Sequence, residues 1–572
     1  MFNHHKLFVV AVAAIALPAV LAWVLGTHAI QPARAADAKP LPGTAAISGT
    51  VQAPKPFKAA KVYLMNVDKN VLFMVYTSGG RYRAVNLFPG RYDVTVKTEG
   101  LASEPQKVTL KAGAPETLNV ALREEVVKPV QQGEFGSAAR NRDIQLVAYD
   151  DLYPQEPGRA LLEKNCIYCH GRNFYPTKHM NAAQWNAMIE VMMGGGPRGA
   201  MVPPGTLNPA DRATIVAYLA KYFGPDSAMR GMKVDAQFPV DEAVLSKAMY
   251  VEYYLPLDPK HDANNKRRIL QQAHFDPDGN VWYTDRSVPN RIGRVDPRTG
   301  ESKDYVLPDT KVTPHGLTVD ADGHVWWAEQ DSYRLGRLDP KTGQMTHYAM
   351  DSTGQSKGRG HSPIMDSKQN VWFTVITGDK LGKWDRATGK ATVWQVPTQG
   401  ASPYGITLDK DENIWFAEFR RCKVAKFDPK TEKFTEYETL TKPCNIRRLG
   451  ADSKGIIWYA GFSNGKLGKL DPKTGKMVEY DVPMPFSEPY DAWPDSNDNI
   501  WVSDAGQGGA LIKFDQRTEQ FIYYPTPQIT DQPKLSITRD DAIWYTTRSS
   551  TKAAAGVLYP DMAKINTLGA YY

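Results

Sequence analysis

Residues Cys166-Ile167-Tyr168-Cys169-His170 form the string C-x-x-C-H, the attachment signature of a c-type haem. Each cysteine sulfur can form a thioether to a haem vinyl group, and the adjacent histidine is placed to bind the iron. The chemistry this implies is one-electron redox. A thiol redox pair or half of a zinc site are the competing readings of the two cysteines.

The second axial ligand is expected from Met201, which lies 31 residues after His170 and is followed by Val202-Pro203-Pro204. A thioether there stabilises ferrous iron and raises the potential. Met180, Met188, Met192 and Met193 compete, the last two on a helix where methionine is usually core filler. His179 follows the attachment site too closely to reach the opposite face. The elements that must position these groups are short helices: Gly158 to Asn165, Asn181 to Met193, and Asn208 to Phe223 with Asn208 as N-cap ahead of Pro209. The segment 146–225 resembles class I cytochrome c, which implies one covalent haem c held by Cys166 and Cys169 and ligated by His170 and Met201.

The remaining half of the chain repeats. Trp282, Trp326, Trp372, Trp415, Trp458, Trp501 and Trp544 recur at spacings of 44, 46, 43, 43, 43 and 43 residues. Units of this length with four short strands are propeller blades, so a seven-bladed propeller is expected over 249–572. The last blade lacks a fourth strand, and Val251 to Pro256 is expected to supply it, closing the ring and removing an exposed edge. Eleven residues before each tryptophan stand Gln271, His315, His361, Tyr404, Arg447, Tyr490 and Pro533. Three residues after it stand Asp285, Glu329, Val375, Glu418, Gly461, Asp504 and Thr547. Antiparallel pairing predicts both sets at one mouth of the channel, gathering two histidines, several carboxylates and an arginine. Cys422 and Cys444 are expected at the same mouth, as a disulfide or as a metal thiolate pair.

Segments Thr313-Pro314-His315-Gly316-Leu317-Thr318 and Ser402-Pro403-Tyr404-Gly405-Ile406-Thr407 resemble the inner strands of the virginiamycin B lyase (streptogramin lyase) family. That family opens a cyclic depsipeptide ester by elimination with a histidine base and magnesium. The resemblance implies His315 with Glu329 as a catalytic histidine and acid. Thr313 and Gln271 stand where the family pattern leads one to expect a magnesium ligand and a second histidine. His315 and His361 are alternatively ligands of a transition metal such as copper, or plain hydrogen-bonding groups of a polar channel.

The flanks complete the organisation. An apolar run from Leu7 to Leu25, preceded by His4-His5-Lys6 and followed by Ala33-Arg34-Ala35, reads as an export signal over 1–35, with an uncleaved anchor as the alternative. Short alternating strands fill 44–123, and Gly80-Arg81-Tyr82 through Pro89-Gly90-Arg91-Tyr92 resembles the carboxypeptidase regulatory-like β-sandwich. Residues 124–145 and 226–248 read as linkers. The fold expected is multidomain and mainly β: an N-terminal β-sandwich, a small α-helical cytochrome c domain and a C-terminal seven-bladed β-propeller. Net charge is +7 over 572 residues and is interspersed, so nucleic acid is not an expected partner. The function expected is an exported, periplasmic electron-transfer protein whose propeller binds a small-molecule substrate or a redox partner such as a respiratory electron carrier. A lyase with an auxiliary haem domain and a non-catalytic docking scaffold are the alternatives.

Overall fold

The computed structural model describes residues 39–125 and 145–572, apart from 173, 195–201, 203–204, 229, 234–236, 258–267, 310–311, 356–357, 507–508, 531 and 549–551. The export signal and Met201 therefore lie outside the described residues. No described helix is long and apolar enough to cross a membrane.

Six four-stranded antiparallel sheets follow one another from Leu270–Phe275 to Gln520–Pro525. The repeat has a simple cause. In each of these blades the indole Nε1 of the recurring tryptophan donates to an aspartate six residues earlier, as Trp282 does to Asp276 at 2.8 Å and Trp501 to Asp495 at 3.0 Å. That buried bond ties the turn to the strand that follows. Glycines after the innermost residues let neighbouring blades close in. A Cβ on Gly316 would meet the His361 carbonyl at 2.6 Å, and one on Gly405 the Arg447 carbonyl at 2.7 Å.

The seventh blade is Ser536–Ile537, Ile543–Thr546 and Ala554–Tyr559, and its fourth strand, Met249–Tyr254, comes from upstream. That strand also pairs with the sandwich. Its other edge runs antiparallel to Val71–Tyr76, with Val251 opposite Phe73. The outer sheet of the sandwich and the last blade are thus one continuous ten-stranded sheet. The second sandwich sheet joins Arg81–Leu87, Ala45–Gln52 and Pro115–Thr117. One apolar core runs across the joint, from Val62 and Phe73 through Val251 to Trp544 and Val557.

The helical segment lies between sandwich and propeller in sequence. Its helices begin where the caps predict: Ala182–Met192 with a capping box of Asn181 and Gln184, and Pro209–Tyr222 capped by Asn208. The helix Pro157–Leu162 runs into a wider turn, Glu163–Ile167, which delivers Tyr168–His170. Gly158 permits the close crossing with the last helix, since a Cβ would meet that of Tyr218 at 2.4 Å. Trp185 is fully buried at the centre, and its indole donates to the Phe223 carbonyl at 3.2 Å. The stretch expected to be a linker is partly ordered: Arg230–Met232 pairs with Gln145–Val147, and Glu242–Leu245 is a short helix.

Tyr253 tests the shared sheet. Its ring stacks on Trp544 at 6.0 Å and its hydroxyl donates to the Pro297 carbonyl at 3.0 Å. Tyr253→Ala should cost about 3–5 kcal/mol. Denaturant unfolding should show sandwich and propeller shifting together in one transition; a sandwich transition left unmoved would separate them.

Candidate functional site

Cys166, Cys169 and His170 line one cavity, and the far wall of that cavity is the propeller mouth. The near wall is apolar, with Trp185, Ile189, Leu207 and Leu219. The far wall holds His315, His361, Tyr404, Arg447 and Tyr490. Five of the seven residues placed eleven before a blade tryptophan thus converge here. Gln271 joins them through the Arg548 guanidinium, which donates to its Oε1 at 3.5 Å.

The two halves are bolted together at the motif itself. The Arg447 guanidinium donates to the Cys169 carbonyl at 2.5 Å and to the Tyr404 and Tyr490 hydroxyls at 3.0 and 3.1 Å. On the other side of His170, Glu488 accepts from the Arg172 backbone N–H and from its guanidinium, both at 3.1 Å. Gly171 lies so close to Glu488 that a Cβ would meet its carboxylate at 2.5 Å. Tyr149 packs on Phe486 with ring centroids 5.3 Å apart.

The electrostatics of the motif are set by burial. Burial pushes the Cys166 thiol up to about 12 and raises Cys169 as well. A thiol–disulfide catalyst needs the opposite, a stabilised thiolate, and the two cysteines are not bonded to each other. Burial, with the Arg447, Lys178 and Arg420 charges, holds His170 down at about 3, so its imidazole is neutral, the form that ligates a metal. The ring stacks on Phe174 at 4.1 Å. Two cavity-facing thiols one helical turn apart, a neutral imidazole beside them and an apolar wall fit a covalently attached haem. Met188 and Met192 line the same cavity, as does Val202, the residue after Met201. The Val202 N–H donates to the Met192 carbonyl at 2.8 Å, which fixes Val202 at the cavity wall. His179 is turned elsewhere, with Nδ1 3.0 Å from the Gly224 carbonyl.

The expected acid set does not reach the mouth. Glu329 registers opposite Pro314, so its side chain leaves the blade on the face away from His315. It is engaged by Ser332, by Arg334 at 2.9 Å and by His347 at 2.7 Å. The structure does not bring His315 and Glu329 together as a pair. Asp285 behaves alike, held by Arg268 at 2.8 Å and by Ser287. The pleat explains both, because the position facing the channel is four residues after the tryptophan rather than three. That set contains Arg286, Gln330, Ile376, Phe419 and Arg548, all on the cavity wall. Thr313 donates to Asp331 at 2.7 Å.

His315 and His361 do meet, with ring centroids 4.0 Å apart, and His361 packs on Tyr404 at 3.7 Å. Their Nδ1 and Nε2 atoms respectively are buried without a hydrogen-bond partner. Burial drives both imidazoles well down, with the neighbouring arginines adding to it. Among the described residues, the three-residue cluster able to hold a metal ion is Asp320, Asp322 and His324, beyond the other end of the inner strand. Those side chains are already committed: Trp326 donates to Asp320, Arg386 to Asp322 and Arg337 to His324. Cys422 and Cys444 are bonded and pack beside Tyr404, Phe419 and Cys169.

Residues 259–514 match the virginiamycin B lyase family. The propeller is similar to that family. Residues 46–123 match the carboxypeptidase regulatory-like domain. Neither match reaches residues 146–225. Among solved structures, a streptogramin B lyase is 22% identical, with 55% of this chain and 97% of that chain covered and a TM-score of 0.49. Virginiamycin B lyase from Staphylococcus aureus is 20% identical over 52% of this chain and 96% of its own, with a TM-score of 0.47. A catalytically inactive form of it with quinupristin is 20% identical over 54% and 99%, with a TM-score of 0.48. No curated protein matches the chain.

The mouth contains a tyrosine pair with unequal acidity. Tyr404 and Tyr490 share a hydroxyl contact of 2.7 Å. Burial raises both phenols, but for Tyr490 the Arg447, Arg548 and Arg448 charges overcome it and hold it below the ordinary phenol range. Tyr404 is pushed up, by burial and then by the Tyr490 charge. An ultraviolet titration should show one phenol of the pair ionising well below the ordinary phenol range, and Tyr490→Phe should abolish that step. Survival of the step in the variant would reassign it.

Proposed function

We propose that this chain is an exported c-type electron-transfer protein in which Cys166 and Cys169 would hold one haem c covalently and His170 would ligate its iron. Met201 is proposed as the second residue that would ligate the iron. The observation that carries this reading is the shared cavity: the attachment motif forms one wall and the propeller mouth the other. When bound, the haem supplies one-electron redox chemistry.

The chain's own residues supply the rest. Burial keeps His170 neutral and therefore able to ligate iron. Trp185, Ile189, Leu207 and Leu219 exclude water from the near wall, which favours the less charged ferrous state. Arg447 and Glu488 clamp the backbone on either side of His170. The mouth, with His315, His361 and Tyr404, holds a small-molecule substrate against that wall. A one-electron carrier, such as a respiratory carrier in the periplasm, takes or gives each electron from outside, so a two-electron substrate requires two transfers.

The elimination reading needs an acidic partner for His315 and carboxylates for magnesium. Among the described residues no carboxylate lines the cavity, so support for that reading is weaker. A propeller that only docks partners is disfavoured by two buried, unpartnered imidazole nitrogens carried by residues that line the cavity.

The test is the intact mass and visible spectrum of the chain purified from the exported fraction. One covalently bound haem per chain is expected, lost when Cys166→Ala and Cys169→Ala are combined. His170→Ala should keep the pigment and lose its low-spin spectrum. Met201→Ala should lose the long-wavelength methionine–iron band and lower the midpoint potential. A colourless wild-type chain of unmodified mass would overturn the proposal.

A further inference from the structure

The propeller channel has a second cavity at its other end. The inner strands Pro314–Val319 and Gly360–Met365 meet the mouth near their starts, at His315 and His361. Their last residues, Val319 and Met365, line a separate cavity of about 620 Å³. That volume suits a small molecule. Phe275, Ile364 and Leu535 give it apolar walls. Its carboxylates, Asp276, Asp320 and Asp366, are committed to the blade tryptophans Trp282, Trp326 and Trp372. Of its two cations, Arg539 lies over the Tyr571 ring at 5.3 Å. The other is Lys534.

Lys534 stands ten residues before Trp544, at the register that Arg448 and Asp491 occupy in the two preceding blades. It is 9% exposed, and among the described residues its ammonium takes part in no hydrogen bond or ion pair. The carboxylate whose charge reaches it, Asp491, already accepts from the backbone N–H groups of Ala492 at 3.0 Å and Leu535 at 2.9 Å. A lysine buried for packing alone is paired; this one lines a cavity instead. Burial, and then the Arg448 charge, press its amine well below the ordinary lysine range. A desolvated amine beside another cation is the activated form of a lysine nucleophile. His274 lines the same cavity. Burial, and then the Lys534 charge, hold it at about 3, so its imidazole is neutral. The Tyr572 hydroxyl lies 2.9 Å from its Nε2, and that pair can relay a proton.

We propose that this second cavity takes a small apolar aldehyde and that Lys534 forms an imine with it. The Nζ lone pair attacks the carbonyl carbon while the C=O π pair moves onto oxygen. The two hydrogens lost from nitrogen leave with that oxygen as water, by way of His274 and Tyr572, and the C=N bond closes. No oxidant or reductant takes part. The step uses neither the mouth nor a haem, so it stands apart from the electron-transfer reading.

Benzaldehyde with cyanoborohydride, applied to the full-length chain at neutral pH and read by peptide mass, tests this. The added reductant converts each imine to a stable secondary amine. Lys534 should take the label about tenfold or more faster than exposed lysines such as Lys410 and Lys454, in keeping with its larger neutral fraction. Its rate should saturate with benzaldehyde concentration, whereas theirs rise in proportion. Lys534→Met should remove the saturable label and leave the proportional ones. Because the lysines are compared within the unaltered chain, the result stands even where that variant fails to fold. Labelling of Lys534 at the pace of the exposed lysines, or a rate that never saturates, overturns the proposal.

Discussion

The Arg447 guanidinium is the interaction on which the arrangement depends. It is 5% exposed, and it spends its donors on the Cys169 carbonyl and on the Tyr404 and Tyr490 hydroxyls. The Phe462 ring lies 3.9 Å from its carbon. A charge buried this deeply persists only where its partners are all in place. The helical segment, seated on the mouth, supplies one of Arg447's acceptors, the Cys169 carbonyl. Glu488 repeats the logic from the other side with Arg172. The cavity exists because these two anchors hold an apolar helical wall over a polar ring.

The rest of the molecule makes that wall and ring rigid relative to each other. The strand Met249–Tyr254 is shared between sandwich and last blade, so the sandwich is a lateral extension of the propeller rather than a tethered module. It also lies just after the helical segment in sequence, so that segment is held at both of its ends by ordered β-structure, Gln145–Val147 pairing with Arg230–Met232 before the shared strand begins. The aspartate–tryptophan bonds brace the individual blades. Precision at the mouth is thereby inherited from elements far from it.

Much of this was legible in the residues. The tryptophan period gave seven blades, and the missing strand of the last one was found upstream. The C-x-x-C-H motif located the near wall of the cavity, and the position eleven before each tryptophan located five residues of the far wall. The second ring of the mouth was harder. Pleat alternation moves the channel-facing position by one residue, so Glu329 and Asp285 leave the site and Arg286 and Arg548 enter it. The register shift in the inner strands, as between Pro314 and Leu317, is what makes simple antiparallel counting fail. The fusion of two sheets through Met249–Tyr254 left no local signal, since a strand paired on both edges reads like any other buried strand. The closure of helical segment on mouth depends on single long-range contacts such as Arg447 with Cys169, which no spacing rule encodes.

The most direct measurement is a crystal structure of the chain purified from the exported fraction. The helical segment should be seated on the mouth, with Arg447 on the Cys169 carbonyl and porphyrin density continuous with both cysteine sulfurs inside the shared cavity. A helical segment displaced from the propeller, or two unmodified thiols facing an otherwise closed core, would contradict it.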